Sequence, residues 1–153
     1  LKSDIYYIIG DIEKNKVKIS NNDKIFRVRS SEDKLTVTFK EKKINDFVEV
    51  NVEEEFNVND KKSFELFASY IGARELVKKI KHVKVFSRDD ILLEYVNLHG
   101  LGYFLEVEIM CEREKDINIA IGKINKIFNE FGIEEKYIEE KMYIEMLLEQ
   151  SQR

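Results

Sequence analysis

The sequence predicts an α+β fold: a closed or nearly closed antiparallel β-barrel of eight strands with flanking helices. Three observations carry this expectation. Alternating apolar and polar runs separated by turn formers fill the first 58 residues and return after residue 73, the pattern of half-buried strands. Two stretches, after Asp60 and after Asp116, repeat apolar residues at helical spacing instead. Eight strands that share one charged face can close on themselves, which turns that face into a lined tunnel.

In chain order, strands are expected at 4–12, 15–19, 24–30, 34–42 and 47–58, broken by Gly10, the Ser20-Asn21-Asn22-Asp23 run, residues 30–33 and Asn45-Asp46. Asp60 then caps a helix with an apolar stripe of Phe64, Leu66, Phe67 and Ile71, ended by Gly72. Strands 74–87 and 91–98 form a hairpin about Arg88-Asp89-Asp90, and strand 103–111 follows His99-Gly100-Leu101-Gly102. Those two glycines join strands and no helix follows, so they are not a dinucleotide-binding loop. Asp116 caps a second helix through Ile117, Ile121, Ile124, Phe128 and Phe131, with Gly132 at its end, and a last helical segment holds Tyr143, Met146 and Leu147. These stripes read as core. No linker or repeat divides residues 1–153, so one domain is expected.

Composition narrows the function classes. Charged residues make up 37% of the 153 and apolar ones 43%, with a net charge of −4. That balance argues against general nucleic-acid binding through a basic surface and leaves room for a local basic groove. Cys111 is the only cysteine, which rules out a disulfide framework or a cysteine zinc site; within its strand it reads as a buried structural thiol. His82 and His99, the two histidines, offer little for a triad or a histidine metal site. No apolar run has the length of a membrane span and no signal peptide is visible, so a cytoplasmic setting without membrane contact is expected.

The most informative pattern is polar residues at i and i+2 on successive strands: Arg27 and Arg29, Thr38 and Lys40, Glu53 and Glu55, Glu106 and Glu108. Each pair projects from one side of its strand. Ordinary solvated faces mix signs to gain cross-strand pairs. Here Arg27/Arg29 and Glu106/Glu108 are each of one sign, which suits a surface holding a polyanion on its cationic side and a divalent metal on its carboxylate side.

The order of these motifs resembles the CYTH superfamily, the triphosphate tunnel metalloenzymes, which include class IV adenylyl cyclases, thiamine triphosphatases and inorganic triphosphatases. R-x-R is followed by T-F-K, E-x-E, a helix, a Lys-bearing strand and G-L-G-x-F-x-E-x-E. The resemblance runs from Asp4-Ile-Tyr-Tyr to Lys141-Met-Tyr-Ile-Glu-Met-Leu. It implies Arg27, Arg29, Lys40, Lys81 and Lys141 as substrate-binding cations. It also implies Glu53, Glu55, Glu106 and Glu108 as metal-side carboxylates, Glu106 and Glu108 being the catalytic pair. Three departures accompany it. The hallmark E-x-E-x-K strand is not in this chain, which opens where the second strand would stand, so the domain is expected to lack its first strand and helix. Val83 takes the place of a usual arginine, and Val96 that of a usual aspartate.

The implied function is metal-dependent hydrolysis of an inorganic, nucleoside or thiamine triphosphate, with Mg²⁺ or Mn²⁺ as cofactor and a monomer or homodimer as the working unit. A class IV adenylyl cyclase and a non-catalytic triphosphate-binding module are the alternatives. Arginine gives bidentate recognition of phosphate oxygens, and hard cations between carboxylates bridge to phosphates. No adenine subsite is evident, since Phe26, Tyr103 and Phe104 read as core or rim packing; hydrolysis therefore makes the smaller demand.

Overall fold

The structure, a computed structural model, describes residues 1–10, 17–20, 22–31, 34–45 and 48–152, with the side chains of 31, 41–45 and 114 left out. Alternation of apolar and polar residues becomes seven strands: β1 Lys2–Ile9, β2 Lys24–Ser31, β3 Lys34–Asn45, β4 Val48–Val58, β5 Ala73–Arg88, β6 Ile91–Leu98 and β7 Gly102–Ile109. They form one sheet in the order β4-β3-β2-β1-β5-β6-β7, with every neighbouring pair antiparallel. Three α-helices complete the fold: α1 Lys61–Tyr70, α2 Ile117–Glu130 and α3 Tyr143–Ser151.

The sheet corrects the expected barrel. Among the described residues it has seven strands rather than eight, and it is open rather than closed, because β4 and β7 each pair on one side only. The strand expected at 15–19 does not form where it is described: residues 17–20 have no regular structure, and 15 and 16 lie outside the described residues. The reason is visible in the backbone donors. The Ile19 N–H donates to the Glu145 carboxylate on α3 at 2.8 Å, and the Ser20 N–H to Asp23 at 2.7 Å. Side chains satisfy the groups that a strand ladder would have used.

The two faces of the sheet differ sharply. On one face Val28, Leu35 and Val37 meet Phe64 and Ala68 of α1, with Tyr7, Phe26, Val58 and Ala73 packed around them. Tyr7 stacks on Phe26 at 5.2 Å, and Phe64 stands edge-on to both rings. Asp60 caps α1 as expected, accepting from the Lys62 and Ser63 N–H groups. The other face carries the charged pairs and is covered in part by α3, whose Ile144, Leu147 and Leu148 are buried. Val96 and Leu98 of β6 are fully buried, and Phe104 of β7 packs against Tyr143 at 4.9 Å.

Several local expectations change. Of the α1 stripe, Phe64 faces the core with Ala68, while Leu66 and Phe67 are exposed; the buried face follows i, i+4 spacing and leaves 66 and 67 outside. On α2, Ala120, Ile121 and Ile124 are buried and Phe131 is exposed. Asp116 makes no cap, because its backbone is already helical after a 3₁₀ turn and its carboxylate takes the Arg113 guanidinium at 3.0 Å. Cys111 is exposed rather than buried, since β7 ends at Ile109. Tyr103 stacks on Tyr95 at 5.6 Å and stays largely exposed. Among the described residues, no helix is long and apolar enough to cross a membrane.

Phe64→Ala, which empties a buried ring site, is expected to cost about 3 kcal/mol. Leu66→Ala should stay within about 0.5 kcal/mol. Chemical denaturation of both variants measures the contrast, and comparable losses would contradict this placement of α1.

Candidate functional site

Period-two alternation places the singled-out charges on one face, and register fixes their neighbours. Arg27 stands opposite Thr38, which stands opposite Glu55; Lys40 is opposite Glu53. Asp4 lies between Arg29 and Lys79, and Glu94 is opposite Glu106.

The half of the face over β2, β3 and β4 mixes cations with carboxylates. The Arg27 guanidinium donates to Thr38 Oγ1 at 2.9 Å, and Thr38 donates on to Glu55 at 3.1 Å. The Nε–H of Arg27 is buried and has no partner among the described residues. Lys40 lies 3.5 Å from Glu53 and 3.6 Å from Glu49. Arg27, Lys40, Lys18 and Lys141 line a cavity of about 940 Å³ together with the carboxylates of Asp23, Glu53, Glu140, Glu145 and Glu149, and Ile19, Ile25 and Ile144 are among its apolar walls. Lys141 is itself exposed and paired with Glu149 at 2.8 Å.

Asp4 occupies the centre and is fully buried. Arg29 holds it with two bonds of 2.7 and 3.0 Å, and Lys79 Nζ lies 3.3 Å away. Burial alone would raise the Asp4 pKa, but the Arg29 hydrogen bond and the Lys79 and Arg29 charges outweigh it and hold it below 3.8. The bond to Asp4 in turn raises the Arg29 pKa. Lys79 also donates to the Tyr6 hydroxyl at 2.9 Å.

The acidic half gathers Glu94, Glu106 and Glu108, which can offer three oxygens within 4.8 Å of one another, a spacing that could hold a metal ion. Lys81 Nζ bonds Glu94 and Glu106 at 2.9 Å each, and Lys2 bonds Glu94 at 2.7 Å. Burial works to raise the Glu94 pKa, yet the hydrogen bonds from Lys2 and Lys81 pull it down to about 2. Burial also opposes the charge on Lys81, but Glu106 and Glu94 raise its pKa overall. Glu108 keeps an exposed edge, yet the heavy atoms crowded around it and the nearby Glu106 and Glu94 charges push its carboxyl above the usual value. Burial, then the Glu106 charge and hydrogen bond, raise the Tyr143 phenol far beyond its ordinary range.

The residues singled out from sequence therefore fall into three groups. Arg27, Lys40, Glu53 and Glu55 lie together at the β4 side, with Lys141 across the cavity. Arg29 is held at the centre by Asp4. Lys81 sits among the carboxylates with Glu106, and Glu108 lies beside them. Glu53 and Glu55 are on the edge strand opposite the one that carries Glu106 and Glu108. Sequence reading missed Asp4, Lys79, Glu94 and Tyr143 as parts of this face. Lys79 had a usable signal, since Lys79 and Lys81 repeat the i, i+2 spacing that marked Arg27 and Arg29.

Comparison with known proteins finds chains of similar fold. The putative adenylate cyclase MJ0240 of Methanocaldococcus jannaschii is 25% identical over 126 residues, which cover 81% of this chain and 71% of that protein. The solved PH1012 protein of Pyrococcus horikoshii matches with a TM-score of 0.72 at 22% identity, over 95% of this chain and 82% of its own. A putative adenylate cyclase from Vibrio parahaemolyticus matches with a TM-score of 0.65 at 18% identity, over 95% and 79%. No protein-family model matches the chain. The similarities are consistent with a CYTH-like fold.

The depressed carboxylates set an expected acid response. A carboxylate whose folded pKa lies below its unfolded value stabilises the fold above the unfolded pKa, and loses that contribution as pH falls through the folded one. Stability should therefore decline as pH drops from the ordinary values of 3.8 and 4.5 toward about 2. Asp4→Asn should cost about 3 kcal/mol at neutral pH by stranding Arg29 and Lys79, and should flatten the acid decline. Denaturation midpoints measured across this pH range test it.

Proposed function

We propose that the charged face binds a triphosphate and, with a divalent metal, hydrolyses it. The observation that carries this reading is a single sheet face that holds both a cavity lined by Arg27 and Lys40 and a cluster of three carboxylates. Arg27 and Lys40 line the cavity on the β2 and β3 side, while the three clustered carboxylates stand on β6 and β7, outside the cavity lining. Arg27 and Lys40 put fixed positive charge on the cavity wall, and phosphate oxygens are acceptors that such groups favour.

The donor set fits Mg²⁺ or Mn²⁺, which prefer oxygen ligands; Glu94, Glu106 and Glu108 would hold the ion. When bound, such an ion polarises a phosphoryl oxygen and lowers the pKa of a bound water. The chain's own residues supply the rest. Arg27 and Lys40 neutralise the phosphate chain, with Lys141 on the opposite wall. Arg29 and Lys79 add positive potential from the centre while Asp4 fixes their positions. Glu53 and Glu55 act here as counter-ions that keep Lys40 and Arg27 in place until substrate arrives.

A second reading, cyclisation of ATP, has two specific supports: the names of the Methanocaldococcus and Vibrio proteins, and the apolar side of the cavity, which gives an organic group somewhere to rest. Hydrolysis is preferred because it needs only the phosphate-binding and carboxylate groups.

Phosphate release from tripolyphosphate and ATP, with and without added Mg²⁺ or Mn²⁺, is the direct experiment. Release is expected only with metal, and tripolyphosphate should compete with ATP at comparable or better affinity. Arg27→Ala should weaken triphosphate binding by about 2 to 4 kcal/mol, whereas Glu106→Gln and Glu108→Gln should raise the metal concentration required. Cyclic AMP as the product, with tripolyphosphate a poor competitor, would establish the cyclase instead. Metal-independent binding without turnover would leave a triphosphate-binding module.

A further inference from the structure

We infer that Lys81 is a built-in competitor for the divalent cation, and that the cation's arrival hands the Lys81 ammonium from the carboxylates to the phosphate chain. Metal and anion then bind cooperatively. This rests on the metal-dependent triphosphate reading above.

The geometry begins with the lysine's three N–H donors. Lys81 directs them at the cluster: 2.9 Å to one oxygen of Glu94, and 2.9 and 3.2 Å to the two oxygens of Glu106. Those carboxylates are two of the three that could hold a metal ion. An ammonium already occupies the oxygens a divalent cation would need. The two cations cannot share them at ligand distances, because like charges a few ångströms apart in a partly buried site repel strongly.

Displacement into water is not open to Lys81. Its side chain is 7% exposed, and a buried ammonium without a partner is costly. It needs a new anion on the same face. Lys79, two residues along the same strand, shows where such an anion would find further positive charge, continued by Arg29 across Asp4. A phosphate chain reaching from Arg27 toward the carboxylates supplies that partner. By linkage, whatever favours the released Lys81 favours the bound metal, and the reverse holds equally.

The experiment measures Mn²⁺ binding to the full chain by electron paramagnetic resonance, with no nucleotide present. Lys81→Gln keeps hydrogen-bond donors for the carboxylates but removes the charge, Lys81→Met removes both, and Lys81→Arg retains the charge. Far-UV circular dichroism checks folding; if Lys81→Met does not fold, Lys81→Gln carries the test. Lys81→Gln is expected to bind Mn²⁺ about tenfold more tightly than wild type, with Lys81→Arg close to wild type. Sulfate, an anion that complexes Mn²⁺ weakly, should tighten Mn²⁺ binding in wild type and have little effect in Lys81→Gln. Equal or weaker Mn²⁺ binding by Lys81→Gln would overturn the proposal, because Lys81 would then be organising the carboxylates rather than competing at them. An identical sulfate effect on both proteins would overturn the hand-over. Failure of wild type and variant alike to bind Mn²⁺ would remove the metal site, and with it the metal-dependent reading as well.

Discussion

Asp4 sits on β1, the middle strand of seven, and both halves of the charged face are anchored to it. Its carboxylate accepts from Arg29 on β2 and lies against Lys79 on β5, each at a position directly opposite in register. Without it, two buried or half-buried cations would face each other across the sheet centre. A buried ion network of this kind adds little net stability compared with a well-packed apolar core, yet losing one member is expensive. Its stronger effect is on register. A slip of one residue on β1 would turn Asp4 toward the face packed against α1 and leave Arg29 and Lys79 stranded. The arrangement of every other charge on the face presupposes that this one pairing is in place.

Val83 and Val96 give the face a second character. In the sheet they stand directly opposite each other on β5 and β6, an apolar pair across the strands. Val96 is fully buried. Burial beside this apolar floor works to raise the Glu94 carboxyl, and the hydrogen bonds from Lys2 and Lys81 overcome it.

Much of this was legible in the chain. Strand period is rigid, so Arg27 with Arg29 and Glu106 with Glu108 had to share a side, and Asp60 announced α1 through chemistry local to its own turn. Neighbour relations were not legible. Sequence grouped Lys81 with the phosphate-binding arginines, whereas strand order places it among the carboxylates of β6 and β7. Glu94 gave no signal, because a single acid between Leu93 and Tyr95 looks like any solvated strand position; only its opposition to Glu106 reveals its place. The segment around 15–19 misled for a different reason. Its composition allows a strand, but the Ile19 and Ser20 N–H groups are taken by Glu145 and Asp23, the first of them far away in the chain. The exposed Leu66 and Phe67 show that apolar identity alone does not orient a helix.

The strand order also divides the chain by time as well as by space. β2, β3 and β4 form one meander of near neighbours, and β5, β6 and β7 form another. Within the sheet β1 joins them, and its pairing with β5 reaches residues as far apart in the chain as Lys2 and Lys81. Closing so long a loop carries an entropic cost that hairpins avoid, and folding slows as such distant contacts come to dominate. The seam between the meanders is therefore the slow closure, and Asp4 and Lys79 lie on it. A nascent or partly refolded chain can hold both meanders in good order while still lacking the centre of its charged face. Recovery of secondary structure should thus run ahead of recovery of anything that depends on the charges meeting across that seam.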